Sequence, residues 1–142
     1  MISIRLQNLN LGGQYTVKEL KFFICKHCGN VVTFIHESGA PLSCCGEQMT
    51  QITPNTVDAV VEKHVPAVTV DGETISAVVG SVEHPMVPEH FIQWICLETN
   101  QGTHIKYLAP GEKPKAVFKV VDETPIAVYE YCNLHGLWKS EL

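Results

Sequence analysis

Two closely spaced cysteine pairs constrain the fold of this chain more strongly than any other feature of its sequence. The first pair is Cys25-x-x-Cys28, the second is the adjacent pair Cys44-Cys45, and a glycine follows each pair. Four thiolates are the usual complement of a tetrahedral metal site, and glycine lets the loop turn tightly enough for backbone N–H groups to bond the sulfurs. A segment of about 30 residues cannot bury enough apolar surface to be stable alone, so a bound metal must supply folding free energy.

The residues around these cysteines predict a small metal-stapled hairpin module. Lys21–Ile24 and Val31–Ile35 have the β-branched and aromatic composition of strands, and Ser38-Gly39-Ala40-Pro41 predicts a turn after the second of them. Zinc in a purely structural knuckle and iron in a redox centre both suit a closed four-thiolate site, so the residues alone leave the metal open. A vicinal disulfide is the poorer alternative in a reducing compartment.

Composition narrows the class of protein. The chain has 142 residues, of which 45% are apolar, and it contains no run long and apolar enough to cross a bilayer. Its first residues do not follow the pattern of a secretory signal, so we expect a cytoplasmic protein, where six cysteines favour metal or redox chemistry over disulfides. A net charge of −5 argues against nucleic acid, and we expect neither a nucleic-acid nor a membrane partner.

The rest of the chain predicts an antiparallel β-sandwich. Residues 1–20 have no clean periodicity and predict an N-terminal extension of unknown role; residues 21–50 form the cysteine module, and residues 51–60 predict a linker. Residues 61–142 contain about seven short strand patterns separated by turn signals, and no segment predicts a helix. The expected fold class is all-β, a small metal-stapled hairpin module followed by an immunoglobulin-like antiparallel sandwich. The expected strands of the second domain are Val65–Val70, Thr74–Val79, Phe91–Leu97, His104–Leu108, Ala116–Val121 and Ile126–Tyr131.

Four histidines and one cysteine in the second domain are candidate ligands of a second metal. Cys132 and His135 stand three positions apart in a turn-prone stretch, where the backbone N–H groups of Leu134 and His135 can hold the sulfur as a thiolate. Loops at one end of a sandwich converge in space, so we expect the five side chains to meet at one ion. The other three candidates lie in loop-like segments beside predicted strands: His64, His84 and His90.

A blue-copper site is a rival use of this ligand set, because it also pairs histidines and a cysteine on a β-sandwich. Such sites usually add a weak axial methionine, but no methionine follows Cys132, and the chain offers more histidines than copper needs. The remaining histidines, His27, His36 and His104, are interpreted as non-ligands. Cys96 lies between Ile95 and Leu97 and is interpreted as a buried thiol that packs as a small hydrophobe.

These motifs resemble those of a known family. Glu62-Lys63-His64-Val65-Pro66, Glu83-His84-Pro85-Met86 with His90, and Cys132-Asn133-Leu134-His135-Gly136 are similar to the motifs of superoxide reductases. The preceding cysteine module resembles desulforedoxin, and the two in this order resemble desulfoferrodoxins, the two-iron superoxide reductases. The resemblance runs from Lys21 to Trp138 and does not include residues 1–20.

The resemblance implies a cytoplasmic, homodimeric enzyme that reduces superoxide to hydrogen peroxide with electrons from a rubredoxin-like donor. It implies two iron ions per chain. An electron-relaying iron, which zinc can replace, would be bound by Cys25, Cys28, Cys44 and Cys45. The catalytic iron would have four equatorial histidines and one axial cysteine: His64, His84, His90, His135 and Cys132. Glu62 would occupy the open sixth position in the oxidised enzyme, and Lys63 would lie over the open face.

Two functions of other classes are consistent with the same residues. One is an electron-transfer or metal-binding module without catalysis, which binding of azide or cyanide at the second metal would distinguish, because only an open site accepts an exogenous anion. The other is a zinc-stabilised interaction domain, which metal analysis after anaerobic purification would identify.

Overall fold

The computed structural model describes residues 19–57, 59 and 61–142. Most of the expected N-terminal extension, residues 1–18, lies outside the described residues. The chain divides between Thr53 and Pro54 into two compact units. Residues 51 and 52, at the start of the expected linker, belong to the last strand of the first unit. The division into residues 21–50, 51–60 and 61–142 stays a prediction.

The first unit is built from short antiparallel strands. The middle strand of a three-stranded sheet, β1, pairs with β2 on one side and β5 on the other, and β3 pairs with β4 in a separate two-stranded ribbon. Among the described residues of this unit, the buried hydrophobic side chains are those of Phe22, Cys25 and Met49. So small a core agrees with the expectation that a metal stabilises the unit. Its strands are β1 (Phe22–Ile24), β2 (Val31–Thr33), β3 (Ser43–Cys44), β4 (Glu47–Gln48) and β5 (Thr50–Ile52).

The second unit is a sandwich of two antiparallel sheets. Its strands are β6 (Pro66–Asp71), β7 (Thr74–Val79), β8 (Ile92–Thr99), β9 (Thr103–Tyr107), β10 (Lys115–Lys119), β11 (Pro125–Cys132) and β12 (Gly136–Glu141). One sheet has the order β10-β7-β6 and the other β12-β11-β8-β9, and every pairing is antiparallel. The expected all-β fold class is confirmed.

The core of the sandwich lies between the two sheets. In β7 the side chains of Ile75, Ala77 and Val79 alternate inward, as period-2 patterning requires of a half-buried strand. They share one hydrophobic cluster with Ile95 and Leu97 from β8 in the opposite sheet. All five are fully buried, and each of the larger side chains contributes about 1.5–3 kcal/mol to folding.

Two elements of the second unit differ from the sequence-based expectations. Val61–His64 forms a single helical turn, α1, closed by a hydrogen bond from Val65 N to the Val61 carbonyl of 2.9 Å. The C-terminal residues Gly136–Glu141 form a full strand, β12, which pairs with β11 across the turn that holds His135. Within the described part of the chain, no helix has the length and apolarity needed to span a membrane.

Candidate metal centres

The five predicted donors of the second unit converge at one end of the sandwich. His64 ends α1, His84 and His90 lie in the connection between β7 and β8, Cys132 ends β11, and His135 lies in the turn before β12. One ring nitrogen from each histidine and the Cys132 sulfur all lie within 4.8 Å of one another. The loops of the sandwich therefore bring together all five side chains that the sequence selected.

The spacing of the donor atoms fits a single metal ion. His64 Nε2 lies 3.0 Å from His135 Nδ1 and 3.2 Å from His84 Nε2, and Cys132 Sγ lies 3.7 Å from His135 Nδ1. Two nitrogens that bind one ion at about 2.1 Å and at right angles to each other are separated by about 3 Å. The buried Nε2 of His90 has no hydrogen-bond partner among the described residues, as expected of a nitrogen reserved for a metal.

Two of the four histidines, His84 and His90, are held in the neutral form that metal binding requires. Burial lowers the pKa of His84 to about 4, and burial followed by the charges of His135 and Lys63 lowers the pKa of His90. His84 Nδ1 lies 2.7 Å from the carbonyl oxygen of Pro85, which accepts a hydrogen bond from Nδ1–H and leaves the Nε2 lone pair directed into the cluster. Backbone contacts therefore select the tautomer of this histidine.

The Cys132 sulfur is buried but has backbone donors. The N–H groups of Leu134 and His135 bond to it, as the sequence predicted, and lower its pKa. Burial is the larger effect and raises the pKa of this thiol overall. A bound cation would offset the effect of burial on this pKa, because a metal stabilises the thiolate that burial disfavours.

Asn133 and Trp138 support the ligands and were not selected from the sequence. Asn133 lies between two of the donors, where its Oδ1 accepts from Phe91 N at 2.9 Å and its Nδ2 donates to the Glu89 carbonyl at 3.0 Å, so it brackets His90. The Trp138 Nε1–H donates to the His135 carbonyl at 3.1 Å. The one available signal was the asparagine inside the Cys-x-x-His turn, which predicts local hydrogen bonding but not its partners.

Glu62 and Lys63 are exposed on α1, immediately before the buried His64. The charge of Lys63 is close enough to His90 to lower the pKa of that imidazole. A cation is therefore presented next to the donor cluster, although the protein as a whole carries a net charge of −5.

The four predicted sulfur donors of the first unit also converge. Cys25, Cys28, Cys44 and Cys45 place their sulfurs within 4.8 Å of one another. The Cys28 and Cys44 sulfurs are 3.6 Å apart, and those of Cys44 and Cys45 are 3.9 Å apart, so neither pair is a disulfide. Four sulfurs at about 2.3 Å from one tetrahedral ion are separated by about 3.8 Å.

The surroundings of these sulfurs have opposite effects on the pKa values of different cysteines. Cys45 has a φ of 52°, a left-handed conformation that lets adjacent cysteines direct their sulfurs to one point. A hydrogen bond from the backbone N–H of Cys28 lowers the pKa of Cys25 to about 6, whereas hydrogen bonding to the neighbouring sulfurs of Cys28 and Cys25 raises that of Cys45 to about 12. Without a cation the cluster does not readily hold four thiolates, so the donor set fits a metal.

The residues that the sequence analysis interpreted as non-ligands include Cys96, His27 and His104. Cys96 is fully buried, as expected. His27 is exposed with its Nε2 2.5 Å from Glu47, and His104 lies 3.0 Å from Glu123. Neither joins a donor cluster in the described part of the chain.

Glu130 was missed by the sequence analysis. It is fully buried on β11, and its carboxylate oxygens have no hydrogen-bond partner among the described residues. Burial raises the pKa of this carboxyl group well above the usual value.

Comparison with known proteins places both units in one family. The family model described as Desulfoferrodoxin matches residues 56–141, and the model of the desulfoferrodoxin N-terminal domain matches residues 17–52. A desulfoferrodoxin of Syntrophotalea carbinolica is 47% identical over 124 residues, which are 87% of this chain and 98% of that protein.

Solved structures agree with this assignment. The superoxide reductase of Treponema pallidum matches with a TM-score of 0.73 and 38% identity, over 87% of this chain and 100% of that one. The superoxide reductase of Giardia intestinalis matches with a TM-score of 0.50 and 35% identity, over 57% of this chain and 99% of that one. The two donor clusters match the two-iron arrangement of the family whose models cover both units. The chain therefore belongs to the desulfoferrodoxin family.

Proposed function

We propose that this protein is a superoxide reductase, which adds one electron and two protons to superoxide and releases hydrogen peroxide. The observation that carries the proposal is the convergence of four imidazoles and one thiolate within 4.8 Å in a chain of the desulfoferrodoxin family. The proposed ligands of the catalytic iron are His64, His84, His90, Cys132 and His135. When bound there, ferrous iron would supply the electron that superoxide accepts.

The protein's own residues prepare this site for an anionic substrate. Four neutral imidazoles and one thiolate contribute a single negative charge, so a ferrous ion would leave the centre with a net positive charge. The backbone N–H groups of Leu134 and His135 hold the Cys132 sulfur in place. The Asn133 side chain fixes the backbone on both sides of His90.

Lys63 and Glu62 are proposed to act directly on the substrate side of the centre. Lys63 places a positive charge beside the site and attracts superoxide through the local field, in spite of the negative net charge of the protein. Water near its ammonium group would deliver the protons that peroxide needs. Glu62, its neighbour on α1, would bind the centre after oxidation, when the additional positive charge favours a carboxylate.

The four-cysteine centre is proposed to hold a second iron that relays electrons. Its proposed ligands are Cys25, Cys28, Cys44 and Cys45. Cys28 and Cys45 are exposed, so the centre is accessible to a reductant, and we propose a small rubredoxin-like protein as the donor. Zinc can replace this iron without loss of the fold, because a closed four-thiolate site suits both metals. We further propose a cytoplasmic homodimer, which the motifs shared with desulfoferrodoxins imply.

The test is the reaction of the ferrous protein with superoxide generated by pulse radiolysis. Lys63→Ile should slow the second-order rate several-fold, while both irons stay bound. Lys119→Ile is the matched control, because Lys119 is exposed and pairs with Thr74 at the end of β7 away from the donor cluster. Equal rates for the wild-type protein and Lys63→Ile would refute the role of this lysine in substrate attraction.

A further inference from the structure

A glycine lies directly beneath the backbone that carries Glu62 and Lys63. Gly80 follows β7 and is buried, with a φ of 81°. A Cβ atom at this position would lie 2.4 Å from the Val82 carbonyl oxygen, 2.7 Å from the Glu62 carbonyl oxygen and 2.8 Å from the carbonyl carbon of Lys63. Real Cβ atoms essentially never approach other atoms this closely, and all three neighbours are backbone atoms that cannot rotate away. Only glycine therefore allows this approach.

Hydrogen bonds tie the same two segments together. The Glu62 carbonyl accepts from Val82 N at 3.0 Å and from Ser81 Oγ at 3.3 Å. Gly80 N donates to the Val65 carbonyl at 3.3 Å, on the other side of the turn. Residues 80–82, the anchoring segment, thus hold α1 at both ends. A single helical turn has little stability of its own, so these contacts decide where it lies.

Two different side chains depend on the position of this turn. His64 is buried in the donor cluster, while Lys63, one residue earlier on the same turn, is exposed. The His64 imidazole is held by its backbone and also by its neighbours in the cluster: His84, His135 and the stacked ring of Trp138. No hydrogen bond or ion pair of the Lys63 side chain is found among the described residues, so the backbone of α1 decides which region its ammonium group can reach.

We propose that Gly80 is a positioning residue for superoxide capture: it lets the anchoring segment hold the Glu62–Lys63 peptide so that Lys63 faces the donor cluster. The inference rests on the proposed function, in which Lys63 attracts the anion. A side chain at residue 80 displaces the turn and moves the Lys63 ammonium group, while His64, which its neighbours in the cluster also hold, and the other four ligands continue to hold the metal. The consequence is a loss of rate without a loss of iron.

The experiment compares Gly80→Ala with Gly72→Ala in the iron-loaded full chain. Gly72, at the other end of β7, also has a positive φ of 58°, but nothing lies within 4 Å of an added Cβ, so it controls for backbone strain alone. Gly80→Ala should lower the rate with superoxide at least threefold and flatten its dependence on ionic strength, with iron content and visible spectrum retained. Gly72→Ala should leave the rate unchanged.

A double-mutant cycle tests whether the effect passes through the lysine. Adding Gly80→Ala to the Lys63→Ile variant should lower its rate with superoxide further by less than a factor of about 1.5, because the effects of coupled sites do not multiply independently. Independent multiplication of the two effects, or a normal rate in iron-loaded Gly80→Ala, would overturn the proposal. If Gly80→Ala fails to fold or to hold iron, Ser81→Ala replaces it. That variant loses one donor to the Glu62 carbonyl and should show a smaller rate loss that Ser81→Thr restores, whereas an unchanged rate would overturn the proposal.

Hydrogen exchange separates this inference from the proposed function. In the metal-free protein the Val82 amide should exchange about tenfold faster in Gly80→Ala than in Gly72→Ala, because its bond to the Glu62 carbonyl is lost. Equal exchange rates would refute the anchoring role whatever the enzyme does. A wild-type protein that does not react with superoxide, but shows the exchange difference, would refute the proposed function and leave the anchor established.

Discussion

The indole ring of Trp138 stacks on the imidazole of His64, with ring centroids 5.0 Å apart and planes at 26°. The two residues are far apart in the sequence of the second unit, because Trp138 lies on β12 near its end and His64 on α1 near its start. Because Trp138 is fully buried and also donates to the His135 carbonyl, one side chain contacts two of the five candidate ligands. The C-terminal strand is therefore part of the metal centre, and not only the edge of a sheet.

Removing only the hydrogen bond of Trp138 and removing its whole ring should lower the free energy of unfolding by different amounts. Trp138→Phe keeps a ring against His64 but leaves the His135 carbonyl without its donor, and we expect a cost of about 1–2 kcal/mol in the free energy of unfolding. Trp138→Ala also creates a cavity and should cost about 3–5 kcal/mol. Urea unfolding of the metal-free protein measures both, and iron retention should follow the same order. Equal losses for the two variants would show that the ring contact contributes nothing.

Asn133→Ala should weaken iron binding by releasing the backbone on both sides of His90. Two hydrogen bonds disappear, and we expect faster transfer of iron to a competing chelator together with a stability loss of about 1–3 kcal/mol. Asn100→Ala is the matched control, because Asn100 Oδ1 accepts from Thr124 N at 2.8 Å in a turn away from the donor cluster. If both variants release iron at the same rate as the wild-type protein, Asn133 has no part in holding His90.

The first unit should unfold without its metal while the second unit stays folded. Cys28→Ser removes one of four sulfur ligands from a unit with few buried side chains, so the loss of metal removes most of its folding free energy. Limited proteolysis should then cleave within residues 21–52 and spare residues 61–142. Loading with zinc should protect the wild-type protein as well as iron does. Protection of the first unit in metal-free Cys28→Ser would contradict the predicted dependence on metal.

Cys96 should give a pH dependence of stability confined to alkaline solution. Burial raises the pKa of this thiol from the ordinary 9.0 to about 12, so the folded protein binds the proton more tightly than the unfolded chain. Its contribution is complete below pH 9 and is lost as the pH rises towards 12. The free energy difference between the wild-type protein and Cys96→Ala should therefore be constant up to pH 9 and then fall. Iodoacetamide should not label Cys96 in the native protein at neutral pH, and rapid labelling there would contradict its burial.

The sequence identified those features that depend on residue type and local period. Cysteine and histidine have few structural reasons to cluster, so both donor sets could be selected before the fold was known. The strand pattern of Thr74–Val79 likewise predicted β7. What could not be predicted depends on contacts between distant segments. The α1 turn is held by residues 80–82, and the partners of Asn133 lie more than 40 positions away. The need for glycine at residue 80 depends on the distant Glu62–Lys63 backbone that lies against it.

The most direct test of the central claim is the stoichiometry of the reaction between the iron-loaded, reduced protein and superoxide under exclusion of air. We expect each superoxide consumed to oxidise one centre of the second unit and to yield one hydrogen peroxide, without release of dioxygen. Cys132→Ser should abolish the thiolate-to-iron band in the visible spectrum of the same centre. Release of dioxygen with half the peroxide, as in a disproportionation, or no oxidation of the iron by superoxide, would contradict the proposed function.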